Sequence, residues 1–170
     1  MIEKGEIINK VDQTALVTIN LEEYYDQSKR VFIDLKEHLE EGLVLRERDF
    51  RSFVKSNDWS QYRDVHVAID ITSDAIVPAW AFMLIASAVS PFSKTVIKGS
   101  LDDLNKHLYT RALKDINLAE LKDKFVIVKG CSKLPVPEST YVELCALLMP
   151  VVKTLSYGEA CSKVPLFKRR

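Results

Sequence analysis

A single α/β domain, with a mainly parallel sheet and helices on both faces, is the fold this sequence predicts. Three observations carry that expectation. From Val65 onward, β-branched runs alternate with longer helical patterns, the order that builds parallel sheets through crossover helices. Phe125 to Val128 is apolar at every position, as expected of a strand covered on both faces. The composition, 47% hydrophobic and 28% charged over 170 residues, fits one globular domain with a sizeable core.

The first 64 residues are the less regular part. Runs rich in β-branched residues at Thr14 to Ile19 and Arg30 to Leu35 predict strands, with a connector or short helix at Glu22 to Asp26. Lys36 to Glu41 predicts a short helix stopped by Gly42. Glu47 to Lys55 predicts another, with Phe50, Phe53 and Val54 on one face, closed by a turn at Asn57 to Ser60. Residues 65–165 form the expected β-α-β-α-β-α-β core. Its strands are Val65 to Ile71, Lys94 to Lys98, Phe125 to Val128 and Lys153 to Tyr157. Its helices are Ile76 to Val89, Leu101 to Leu113 and Pro137 to Met149, with a helical turn at Leu118 to Leu121. No linker, low-complexity segment or long repeat divides the chain.

Charge and targeting signals narrow the function. Lys plus Arg equal Asp plus Glu at 24 each, so no broad electrostatic interface with nucleic acid or anionic lipid is expected. The amino terminus shows no basic region followed by an apolar stretch, so no signal peptide is expected. Three sparse cysteines favour a reducing compartment over a disulfide scaffold, and a cytoplasmic setting follows. Ala75 to Ser93 carries no charge, but Pro78 and Pro91 limit its helix to a length typical of a core helix, too short for a membrane span. Trp80, Phe82, Met83, Leu84 and Ile85 cover more than one face of that helix. Burial inside the monomer accounts for them most simply, and a twofold homodimer through this helix is the other reading.

The chemistry gathers where strands end. Cys-Ser-Lys-Leu-Pro at 131–135 returns as Cys-Ser-Lys-Val-Pro at 161–165, each copy following an apolar strand-like run. Asp70-Ile71-Thr72-Ser73-Asp74 follows a third strand. In open parallel sheets, ligands bind beyond the carboxyl ends of the strands. If these strands are neighbours, Cys131, Cys161 and Asp74 lie on one edge. Thiols near helix amino termini gain thiolate character, the form that attacks electrophiles or binds soft metals.

Three chemistries fit those residues. Cys131 and Cys161, completed by Asp74, Glu159 or Glu138, suit zinc or iron, although no Cys-x-x-Cys pair or histidine spacing adds to the signal. The same two cysteines also suit a reversible disulfide, or a nucleophile with its resolving partner. Ser73, Ser132 and Lys133, with backbone N–H groups at helix starts, suit an anion such as a phosphate or carboxylate. Against all three stands the plain alternative of capping hydroxyls, turn prolines and small buried thiols. A non-enzymatic module binding an anionic small molecule or a protein partner at that edge is the alternative function. Cys145 reads as a core residue, His66 as a structural histidine on a strand, and His38 and His107 as surface groups. No glycine-rich phosphate loop, Gly-x-Ser-x-Gly elbow or His-Glu-x-x-His is present.

Asp58 to Tyr62, Ser73 to Ala81, Lys129 to Ser132, Pro135 to Glu138, Tyr141 to Leu144 and Tyr157 to Ser162 are long, specific motifs spread along the chain. On these residues the chain resembles an uncharacterised bacterial family found chiefly in Bacteroidetes, a domain of unknown function. The resemblance implies a bacterial cytoplasmic setting and supplies no catalytic residues.

Overall fold

The computed structural model describes residues 16–130, 133–159 and 161–169. Its α/β class, mainly parallel strands and less regular amino-terminal part are as the sequence predicts. The parallel strands are shared between two sheets, however, where one was expected. The chain forms two compact units: an inserted unit, residues 26–108, and a discontinuous unit made of residues 1–25 and 109–170.

The inserted unit holds a wholly parallel sheet in the order β2 (Arg30–Asp34), β3 (His66–Asp70), β4 (Thr95–Lys98). Alternation along the strands sorts their side chains between two faces. Ile33, Val67, Ile69 and Val96 pack against α1 (Glu47–Ser56) and α2 (Ala79–Val89), through Phe50, Val54, Ala81, Ile85 and Val89. Phe32, Ala68 and Ile97 face the other way, onto Leu104 and Leu108 of α3 (Leu101–Leu113). Helices therefore cover both faces. Ser100 opens α3 with a reciprocal cap: its hydroxyl accepts the Asp103 N–H at 3.1 Å, and its own N–H donates to the Asp103 carboxylate at 3.0 Å.

The discontinuous unit has the order β1 (Leu16–Ile19), β5 (Phe125–Val128), β6 (Thr154–Glu159), β7 (Ser162–Lys168). The first three strands are parallel and β7 is antiparallel to β6. Its core joins Ile19, Val126, Val128 and Leu155 to Leu144 and Leu148 of α4 (Glu138–Leu148). The strand β7 is a correction. Cys161 to Pro165 was expected as a loop past the last strand, but Ser162 to Lys168 turns back as a hairpin. Pro165 is tolerated there because β7 is an edge strand with a register shift opposite Leu155 and Ser156.

The two units repeat one plan, although the sequence reading recognised no long repeat. A shift of 59 positions carries the β3-α2-β4 segment onto β5-α4-β6 without a gap. Pro78 and Pro137 stand at the N-caps, and Pro91 and Pro150 follow the C-caps. Asp64 and Asp123 share φ values of 58° and 56°, and each N–H donates to the carbonyl at the matching position, Phe92 or Val151. Gly99 and Gly158 both take positive φ. The flanking strands match as well. Asn20, just after β1, and Asp34, the last residue of β2, each cap a 3-10 turn whose first residue, Leu21 or Leu35, is buried.

The charge-free segment becomes α2, with Ala81, Ile85 and Val89 fully buried and Met83 70% exposed. No helix among the described residues is long and apolar enough to cross a membrane.

Candidate functional site

Parallel strands direct their carboxyl ends to one edge of each sheet, so each unit presents one edge of the kind that holds ligands. In the inserted unit those ends are Asp34, Asp70 and Lys98, with Asp34 and Asp70 in register on neighbouring strands. Both carboxylates are engaged. Asp34 accepts the N–H groups of Lys36 at 2.9 Å and Thr72 at 3.1 Å, and its second oxygen accepts the Thr72 hydroxyl. Burial acts to raise the Asp34 carboxyl, but these hydrogen bonds and the Lys36 charge outweigh it and hold the group below the usual carboxylate range. Asp70 accepts the Ile71 N–H at 2.9 Å and the Lys98 ammonium at 3.0 Å, while that ammonium lies 5.1 Å from the centre of the Phe82 ring. This edge spends its charges on pinning the β3–α2 loop. Ser73 and Asp74 lie in that loop: the Ser73 hydroxyl oxygen is buried without a hydrogen bond, and Asp74 is exposed.

The matching edge of the discontinuous unit is different chemistry on the same frame. β5 runs out into Lys129-Gly130, and Gly130 permits a close approach. A Cβ there would lie 2.8 Å from the Tyr157 ring, whose hydroxyl donates to the Gly130 carbonyl at 3.1 Å. Tyr157 in turn meets Tyr141 edge-on, with ring centroids 5.8 Å apart. Further along the loop, the N–H groups of Lys133 and Leu134 both donate to one oxygen of Glu22, the latter at 3.2 Å. Two backbone donors of this loop thus hold the protein's own carboxylate. Equivalent positions in the other unit carry Lys36 and Asp74, the same charge pair with its signs exchanged.

Glu159 ends β6, and Cys161 occupies the turn into β7 as an exposed free thiol. That turn joins two strands, so no helix amino terminus adjoins Cys161. Cys131 and Ser132 lie outside the described residues. The sheet order nevertheless resolves one condition set by the sequence: Cys131 and Cys161 follow the ends of parallel neighbours, β5 and β6. Asp74 and Ser73 belong to the other unit and the other sheet. Among the described residues, no group of three His, Cys, Asp or Glu side chains could hold a metal ion. Cys145 is half-buried against the core, as expected.

Sequence reasoning missed two further arrangements. His38, expected at the surface, stacks on Phe53 with ring centroids 3.8 Å apart, and burial lowers its pKa. His66 is 3% exposed. Its Nε2 lies 3.0 Å from an Asp26 carboxylate oxygen without hydrogen-bond alignment, and its Nδ1 has no hydrogen-bond partner. Burial lowers the His66 pKa. The Asp26 carboxylate opposes that shift, and the charges of Arg30 and Lys94 add to it. The Asp26 carboxyl, raised by burial but lowered further by Ser28 and His66, falls far below its ordinary range. The only signal in the sequence was a histidine inside an apolar strand, which says nothing of its partner.

No curated protein and no solved structure matches the chain. Over residues 5–169 the chain matches the family described as Protein of unknown function (DUF2480), and it belongs to that family.

Proposed function

We propose that this protein is a thiol-centred binding module that takes a soft metal ion, zinc or iron, at the carboxyl edge of the β1-β5-β6-β7 sheet. Cys131 and Cys161 supply the sulfur ligands and Glu159 a carboxylate, with the remaining position left to water. One observation supports this reading above the others. The strands that lead to the two cysteines are parallel neighbours, and the Tyr157 hydroxyl ties the end of one to the end of the other at Gly130. The anion reading is weaker at the same edge, because Glu22 already takes the Lys133 and Leu134 N–H groups.

Metal analysis and a zinc titration against a chromophoric chelator test the proposal on protein purified without added metal. Near-stoichiometric binding, lost in both Cys131→Ser and Cys161→Ser, is the expected result. Protein that binds neither zinc nor iron while all its thiols label freely would sink the idea, as would binding untouched by both substitutions.

A further inference from the structure

The loop that leaves β5 is tied on both sides of Cys131. Before the cysteine, the Gly130 carbonyl accepts the Tyr157 hydroxyl of β6 at 3.1 Å. Beyond it, the N–H groups of Lys133 and Leu134 converge on one oxygen of Glu22, in the 3-10 turn that follows β1. β1 and β6 are the two neighbours of β5 in the sheet, so each neighbour holds one flank of the cysteine. The Glu22 tie links positions 111 and 112 residues apart in sequence. A carboxylate acceptor makes such bonds stronger than a neutral one would.

The inserted unit makes the corresponding tie at other positions. There Asp34, at the end of β2, accepts the Thr72 N–H at 3.1 Å and the Thr72 hydroxyl as well. Thr72 stands at the place of Cys131 in the repeat, and Asp34 at the place of Asn20. Asn20 has no carboxylate, and its side-chain oxygen accepts the Glu22 N–H instead, at 3.2 Å. The carboxylate has therefore moved two positions along the chain, from the place of Asp34 to Glu22. The N–H it holds has moved by the same two positions, from the place of Thr72 to Lys133. Lys36, which stands at the place of Glu22, is a donor only and cannot make this tie. One frame thus secures the same loop in two ways, once at the place of the cysteine and once just beyond it.

We propose that Glu22 is a positioning residue for the Cys131 thiol: its carboxylate fixes the loop just beyond the cysteine, so that the backbone presents the sulfur to its ligand. This rests on the thiol-centred site proposed for the same edge. A loop ordered in advance spares the ligand that ordering cost. Groups that orient a metal-binding side chain carry about 10–100-fold in metal affinity. Glu22 acts through two backbone N–H groups, so the reach of its side chain decides the effect. Glutamine keeps that reach and an acceptor oxygen, whereas aspartate keeps the charge but is one methylene shorter.

Three measurements on the full chain test the assignment: zinc affinity, the rate at which a maleimide labels Cys131 in metal-free protein, and amide exchange at Lys133 and Leu134. Glu22→Ala is expected to weaken zinc binding by about tenfold or more. It also changes the Cys131 labelling rate and speeds exchange at both amides, while Cys161 labels as before. Glu22→Asp acts in the same direction and decides the matter if the alanine variant does not fold. Glu22→Gln restores all three readouts nearly to those of the unmodified protein. Glu23→Ala, which removes the neighbouring carboxylate of the same turn, leaves them unchanged. Unaltered zinc affinity and Cys131 labelling in Glu22→Asp and in folded Glu22→Ala overturn the proposal. An inactive glutamine variant beside a fully active aspartate variant overturns it too, because charge alone would then be at work. A chain that binds neither zinc nor iron overturns the metal reading instead, and Cys131 labelling with its rescue by glutamine still decides the role of Glu22.

Discussion

The inserted and discontinuous units share strand order, helix length and turn punctuation, yet their carboxyl edges have little chemistry in common. Where one carries Asp34, Asp70 and Lys98, the other carries Asn20, Lys129 and Tyr157. The buried positions behave in the opposite way. Ala81, Ile85 and Val89 become Thr140, Leu144 and Leu148, all buried and nearly all apolar. The comparison separates what the frame needs from what it merely carries. Burial of a helix stripe and a few backbone turns hold the architecture, and the loops at the strand ends remain free to differ.

The sharpest way to break that equivalence is at the paired core positions. Ile85→Ala and Leu144→Ala each remove a fully buried side chain and are expected to cost about 2–5 kcal/mol, read from urea unfolding. Similar losses support one frame used twice. A loss below 1 kcal/mol at either site, on the scale of a surface substitution, would show that its unit does not rest on that helix.

The paired glycines make a smaller but more discriminating test. Both have positive φ, 143° at Gly99 and 114° at Gly158, where a side chain costs about 1–3 kcal/mol. A Cβ at Gly158 would also lie 2.9 Å from the Ser162 carbonyl oxygen, which is fixed in the hairpin. At Gly99 it would meet the Asp103 side chain at 3.0 Å, which can shift. Gly158→Ala is therefore expected to lower the melting temperature more than Gly99→Ala. The reverse order would contradict the different fates assigned to the chain after these glycines.

The smallest effect concerns His66, whose counterpart is Phe125. Burial depresses its pKa in the folded protein, so its contribution to stability is present above the unfolded value, about 6.5. That contribution is lost as pH falls through the folded value, because the unfolded chain takes up the proton first. His66→Phe, which installs the residue of the other unit, should flatten the stability profile below about pH 6.5 while changing little at pH 8. An unaltered acid limb in unfolding titrations would remove His66 as its source.

Much of the fold was legible in the residues. α3 and β5 have the predicted bounds, and β3, β4, α2 and α4 differ by a few residues at their ends. The largest shift is at α2, whose start moves from Ile76 to Ala79 because Pro78 stands at its N-cap. The paired Cys-Ser-Lys-x-Pro segments are not copies within the structural repeat. Their likeness is local, whereas the structural repeat aligns Cys131 with Thr72 and leaves Cys161 in a hairpin that has no counterpart. The true repeat was obscured because its halves interleave. β1 and β2 are consecutive in sequence, yet each joins a different sheet.

Local pattern was enough for the elements, since apolar periodicity, β-branched runs and proline positions act over a few residues. The division into two sheets depended on pairings more than 90 residues apart, such as Leu16 with Phe125. The capture of the Lys133 and Leu134 N–H groups by Glu22 and the burial of His66 beside Asp26 likewise depended on contacts between segments separated in sequence. Each depends on which strands pair and in what register, and hydrogen bonds between distant segments leave no periodic trace in either partner alone.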